Sequence, residues 1–176
     1  MTIRTFSRWM AVAVCAGTIT AMVPATVEAA DDRKVCELLT ASELESLFGA
    51  KVVLKSDGRV PGGKTVVCTG QAPTAAVMVR LVTGLDQGRD RSGSKEMKGI
   101  EVAKQMGAQV DVKTFGPITC STIIPSESLA AHGFNTTCTV SKETAVAGIE
   151  VQTKSQKDMI SIDRLRPLAE KMAGRF

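Results

Sequence analysis

Hydrophobic and polar positions alternate along this chain with two different periods. In "CELLTASELESLFGAKV" the apolar residues recur at helical spacing, with Leu44, Leu47 and Phe48 on one side. Thr40 is placed as the N-cap, and Glu43, three residues on, completes a capping box. Leu39 and Leu44 take the two positions of a hydrophobic staple, and Gly49 stands where a left-handed C-terminal cap belongs. A period of two then takes over. "KVVLKS" predicts a strand, "DGRVPGG" a turn-rich loop and "KTVVCTG" a second strand. "AVMVRLVTG" alternates Val77, Val79 and Leu81 with Met78, Arg80 and Val82, the pattern of a strand buried mainly on one face. After the polar loop "LDQGRDRSGS", the segment "KEMKGIEVAKQMG" returns to helical spacing through Met97, Ile100, Ala103 and Met106, and Gly107 stops it.

The second half predicts strands at "QVDVKTFG", "ITCSTII", "NTTCTVS" and "TAVAGIEVQT", with "PSESLAAHGF" as a loop or short helical turn. A final amphipathic helix, "MISIDRLRPLAEKMAGRF", presents Leu165, Leu168, Ala169, Met172 and Phe176 on its apolar face. Pro167 belongs in the first turns of that helix or bends it. "VVCTGQAPTAAVMVRLVTG" and "TTCTVSKETAVAGIEVQTK" share a Cys-Thr, a short polar stretch and an Ala-Val opening. The expected fold is therefore α+β, an antiparallel sheet with helices packed against it, arranged as two pseudo-repeated β-β-β-α halves. The alternative is a chance likeness, because alternating Val/Ala strands resemble one another cheaply.

The chain starts differently. "MTIRTFSR" carries Arg4 and Arg8 and no acid, and an apolar run of 15 residues follows from Trp9 to Val23. Then comes "PATVEAA", with Val27-Glu28-Ala29 as a small-x-small cleavage site. This is the layout of a signal peptide over residues 1–29. The apolar run is shorter than the ~20 residues of a spanning helix, and Val14 before Cys15 does not suit a lipoprotein site. The remaining residues, 30–176, are expected to form one domain, with no membrane span after cleavage, in the periplasm or outside the cell.

Cleavage moves the formal charge only from +4 to +3, a value that speaks for solubility rather than for a nucleic-acid footprint. It also removes Trp9, the only Trp of a chain without Tyr, and leaves Phe48, Phe115, Phe134 and Phe176. Base-stacking and aromatic-anchored interfaces find little to use here. Nucleic acid is not an expected partner.

Four cysteines lie beyond the leader: Cys36, Cys68, Cys120 and Cys138. An even number in an exported chain predicts disulfides. Of the three pairings, Cys36 with Cys68 and Cys120 with Cys138 is favoured, because each half then closes its own loop. The competing metal site lacks C-x-x-C spacing and a second histidine beside His132. No metal or other cofactor is expected.

"VCELLTASELESLFGAKV", Cys68-Thr69 and the closing "LRPLAEKMAGRF" together resemble a group of small exported bacterial envelope proteins and lipoproteins of unknown function. They open on C-x-LLT-x-x-E and continue with a cysteine in a C-T strand. The resemblance implies an α+β domain with a helix-to-strand disulfide, and it carries no catalytic residues across.

Candidate chemistry is thin. His132 would have to serve any Ser-His-Asp or Cys-His site, with Ser126, Ser128 or Cys138 as nucleophile, and no G-x-S-x-G elbow is present. In "GRDRSGSKEMKG", Gly88 and Gly93 have P-loop spacing, but Ser94 precedes Lys95 where the motif needs Lys first. Arg89, Arg91 and Lys95 beside a helix N-terminus form a candidate anion site, with a solvated loop as the plainer reading. Asp31-Asp32 and Glu43 make no glycosidase pair, and Met97, Met106 and Met172 are expected in the core rather than at a metal. The expected function is non-catalytic binding or accessory work in the bacterial envelope, with an unidentified protein or small molecule as partner. A secreted hydrolase inhibitor and an enzyme with an unrecognised site are the alternatives.

Overall fold

The computed structural model describes residues 34–60, 64–85 and 92–176, the side chains of 92–97 excepted. The expected leader, with Asp31 and Asp32, lies outside the described residues. So do Arg89 and Arg91.

The expected first helix forms as α1, Ala41–Phe48. The Thr40 side chain accepts from Glu43 N–H, the Glu43 carboxylate accepts from Thr40 N–H, and Gly49 closes the helix at φ 67°. Leu39 and Leu44, at the staple positions, are buried. The strands that follow are β1 (Lys55–Arg59), β2 (Thr65–Gln71) and β3 (Ala75–Thr83). Helix α2 (Ser92–Gln105) leads to β4 (Gln109–Phe115), β5 (Ile118–Ile124), a 3-10 helix (Glu127–His132), β6 (Phe134–Ser141), β7 (Ala145–Thr153) and finally α3 (Ile162–Ala173). All the strands belong to one seven-stranded antiparallel sheet in the order β1-β2-β3-β7-β6-β5-β4.

The repeat is present in the registers themselves. In the β2–β3 ladder Cys68 faces Val79, and in the β6–β7 ladder Cys138 faces Ile149. Shifting every β2–β3 pair by the separation of Cys68 from Cys138 reproduces the β6–β7 pairs. The turns correspond too: Ala72 N–H donates to Ala75 O, and Lys142 N–H donates to Ala145 O. The two copies meet at the centre of the sheet, where β3 pairs with β7 and Val79 faces Ile149. Under the same shift that pair maps onto itself, so a pseudo-two-fold axis runs through it.

The halves are not equal, however. β4 has no counterpart in the first half, and α1 has none in the second.

Three expectations about local structure shift. The predicted strand at 51–56 is displaced, since only Lys55 and Ser56 of it enter β1. Val52 and Leu54 instead lie across β2, where a Cβ on Gly70 would come within 3.0 Å of Val52 Cγ1 and of the Val53 carbonyl oxygen. Asp57, Gly58 and Arg59, predicted as a turn, are strand. Gly58 adopts φ 82° at a register break between Ser56 and Gly58, so the glycine marks a bulge rather than a chain reversal. α2 begins at Ser92, ahead of the expected start at Lys95. Pro167 stands one turn inside α3, past the N–H groups that have no intrahelical partner anyway.

One face of the sheet carries the core. Val66, Cys68, Val77, Val79, Cys120, Cys138, Val140, Ala147, Ile149 and Val151 all point to it and are buried. α3 closes this face with Ile162, Leu165, Leu168, Ala169 and Met172, and α1 adds Leu44 and Leu47. Arg164 of α3 donates to Leu47 O of α1, and Arg175, just past α3, donates to Leu38 O, just before α1. Thr136, 1% exposed, donates to Ile160 O at 2.6 Å, and Thr153, 2% exposed, donates to Ser155 O, so both buried threonines of this face are satisfied.

The cysteines pair as expected. Cys36, just before α1, bonds Cys68 of β2 and tethers the helical segment to the sheet. Cys120 bonds Cys138 directly across β5 and β6, with Cα atoms 4.0 Å apart. This second bridge joins two neighbouring strands and does not reach back to the start of its half, so the two staples do different jobs.

Candidate functional site

The opposite face of the sheet is built from the alternate positions. Crossing from β2 through β3, β7, β6 and β5 to β4, one row reads Val67, Arg80, Gly148, Thr139, Thr119, Thr114. The next reads Thr69, Met78, Glu150, Thr137, Ser121, Val112. The two ends of these rows differ. Ser121 and Thr139 are only 5% and 4% exposed, and α2 packs against β4. Ile100 of α2 is buried yet stands outside the main core cluster. Helix α2 therefore lies at the β4 end of this face.

Over β2, β3 and β7 the face opens into a cleft of about 200 Å³, lined by Thr69, Gly70, Gln71, Met78, Glu150 and Gln152 among others. Met78 and Glu150 face each other across the central β3–β7 pair, giving the cleft an apolar wall beside a carboxylate. Among the described residues no hydrogen bond or ion pair engages that carboxylate. Gly148 leaves room for its neighbour: a Cβ there would meet Arg80 Nε at 3.1 Å and Thr139 Cγ2 at 3.2 Å, so the Arg80 side chain lies across it. On the next row Asn135 faces Gln152 across β6 and β7. Its Oδ1 is shielded from solvent without a donor among the described residues, while Gln152 Nε2 donates to His132 O at 2.5 Å.

Two further grooves lie on the helical side. One, of about 280 Å³, runs between α1 and the extended Val52–Leu54 segment beside Cys36. The other, of about 200 Å³, separates α1 from α3. The second contains the strongest electrostatic cluster described. Arg175 donates to both oxygens of Glu43 at 2.7 and 2.8 Å, and Lys171 stands 3.3 Å away. The Arg175 guanidinium, with the Thr40 donors and Lys171, holds the Glu43 carboxyl down to about 2 against the cost of burial. Glu43 has no proton to exchange near neutral pH, and it works as a clasp between the two helices. The capping role was legible in sequence, but Arg175 as its partner was not.

The described residues singled out from sequence do not converge. His132 ends the exposed 3-10 helix. Ser126 Oγ donates to Met106 O and shares a hydrogen bond with Ser128, and Cys138 is in its disulfide. No hydroxyl or carboxylate is hydrogen-bonded to the His132 ring among the described residues. Gly93, Ser94 and Lys95 are backbone of α2 and not of a loop, so a phosphate-wrapping turn is not formed there. Arg89, Arg91 and the Lys95 side chain, the candidate anion site, lie outside the described part of the structure. Of the methionines assigned to the core, Met172 is buried but Met106 is 50% exposed, and the side chain of Met97 lies outside the described part. Among the described residues no group of three or more His, Cys, Asp or Glu side chains is placed to hold a metal ion, and no helix is long and apolar enough to cross a membrane. No protein-family model matches the sequence, and no curated protein or solved structure is significantly similar to it.

Proposed function

We propose that the protein is a non-catalytic binding or accessory protein of the bacterial envelope, exported to the periplasm or beyond, and that its binding surface is the open end of the sheet over β2, β3 and β7. The observation that carries this is the asymmetry of the two faces. The core face is sealed by α1 and α3, whereas the other holds a cleft with Met78, Glu150, Gln71 and Gln152 half-buried or exposed along strands that the core fixes in place. A rigid apolar wall with a few convergent polar groups is the general form of a recognition site. The carboxylate favours a partner that offers an apolar group to Met78 and a cation or hydrogen-bond donor to Glu150. Two disulfides fit an oxidising compartment, in line with the leader and with the resemblance to exported envelope proteins.

The test is capture from periplasmic extract by the immobilised mature protein, run beside M78E and E150K variants whose melting temperatures are first shown to match the wild type. A species held by the wild type and lost from both variants supports the reading. Equal retention by all three would remove the cleft from consideration.

A further inference from the structure

The two edges of the sheet are built differently, and one of them is complementary to itself. β1 is short, polar and interrupted by the bulge at Gly58, the usual protection of an exposed edge. β4 runs unbroken through seven paired residues, Gln109 to Phe115, against β5. Its outward backbone groups follow from the neighbouring ladder. Cys120 faces Cys138 at the narrow, non-hydrogen-bonded spacing, and Ser141 N–H donates to Pro117 O. Alternation then turns the backbone groups of Val110, Val112 and Thr114 away from β5, toward an edge that no strand among the described residues pairs.

Asp111 and Lys113 flank Val112 on the core-face side of β4, with side chains 60% and 48% exposed. They lie 3.9 Å apart within one chain, a contact worth little at such exposure. Two lysines here would repel another strand in every register. One acid and one base, symmetric about Val112, instead attract an antiparallel copy of the same strand.

We infer that β4 is a self-association edge, pairing antiparallel with β4 of a second copy of this chain about Val112. In that register Val112 meets Val112 of the second copy at a hydrogen-bonded site, and Val110 meets its Thr114. Asp111 then faces Lys113 of the second copy at the closer, non-hydrogen-bonded site, and the two-fold axis makes this contact twice. Backbone groups, charges and the Val112 contact are all satisfied by one register, and the sheet continues through both copies. The pairing lies at the opposite end of the sheet from the β2–β3–β7 cleft, so it stands or falls independently of the proposed binding surface.

The experiment is sedimentation velocity over a concentration series on the disulfide-intact mature protein and three charge variants. An edge contact of this size predicts a reversible dimer in the weak, transient class. D111K places like charges opposite each other at both symmetric sites, and so does K113D. Each should raise the dimer dissociation constant about tenfold or more. The double variant D111K/K113D restores opposite charges and should restore the dimer. These side chains are exposed, and a thermal melt of each variant checks that the fold is kept. A wild type that stays monomeric throughout, single variants that dimerise like the wild type, or a double variant that stays monomeric would each overturn the inference.

Discussion

Replacing Glu43 by Gln removes one charge from the clasp between α1 and α3 while keeping a side chain that can still complete the capping box. In the folded protein Glu43 titrates at about 2, against 4.5 for the unperturbed group, chiefly because Arg175 donates to both of its oxygens. A shift of that size corresponds to about 3 kcal/mol if nothing screens it. Glu43 is only 12% exposed, but Arg175 is 34% exposed and Lys171 53%, so water weakens the attraction and about 1–2 kcal/mol is the expected net value. The folded pKa lies below the unfolded one, so the contribution is complete above about pH 4.5 and disappears as the pH falls toward 2. Urea unfolding of wild type and E43Q at a series of pH values isolates this, because other carboxylates cancel in the difference. The stability gap should be constant from neutral pH to about 5, narrow steadily below that, and close near pH 2. A gap independent of pH would mean that the Arg175 contact does not form in solution.

The disulfides should each hold about 3–4 kcal/mol by loop closure, with sequence separations of 32 for Cys36–Cys68 and 18 for Cys120–Cys138. Denaturant melts with and without reductant measure this, and a thiol titration showing four reactive sulfhydryls in the untreated protein would refute both bridges. Gly70→Ala should destabilise by about 1–3 kcal/mol, because the new methyl meets the Val53 carbonyl as well as Val52. Gly148→Ala should cost less, since the new methyl meets only side-chain atoms of Arg80 and Thr139 and no carbonyl, and a larger loss at Gly148 in thermal melts would contradict that contrast. Thr136→Val should cost about 1–3 kcal/mol by leaving Ile160 O without its buried donor, and an unchanged urea midpoint would show that water replaces the bond.

Where one element decides its own structure, sequence was sufficient. The caps of α1, the alternation of β2, β3, β6 and β7 and the apolar stripe of α3 are all local signals, and each element formed where they stood. Cysteine pairing followed because each bridge closes within its own half. What failed was information held by the surface beneath an element. Met106 keeps the helical phase of Ile100, but phase says nothing about where the packing surface ends, and at the last turn of α2 the side chain is half in solvent. Gly58 looked like a turn because a bulge and a chain reversal use the same residue type. The cleft was invisible for a similar reason, since alternation assigns Met78 and Glu150 to one face without saying whether that face is covered. Arg175 and Glu43 are separated by most of the domain, and no periodicity links them.

The pseudo-two-fold axis sharpens that last distinction. On the core face Cys68 matches Cys138, Val79 Ile149, Leu81 Val151 and Thr83 Thr153, while Val66 is equated with Thr136 and Gly70 with Val140. Both departures have a packing reason: Val52 takes the space over Gly70, and Thr136 donates to Ile160 O. On the other face Thr69 matches Thr139, but two pairs beside the cleft part company. Met78 corresponds to Gly148 and Arg80 to Glu150, a large side chain against none and a cation against an anion. Nothing in the backbone asks for this, because the β3–β7 ladder is the same read from either strand. The asymmetry does have a local consequence: the missing side chain at Gly148 makes the space across which Arg80 lies, and the carboxylate of Glu150 is left beside Met78 at the cleft. These two departures, which no core contact explains, lie around the site proposed to meet a partner. The sharpest single test of that idea is to restore the symmetry. G148M should force Arg80 out of place and obstruct the cleft while leaving the core face untouched. Retained capture of the same species by a folded G148M protein would show that the asymmetry serves something other than binding.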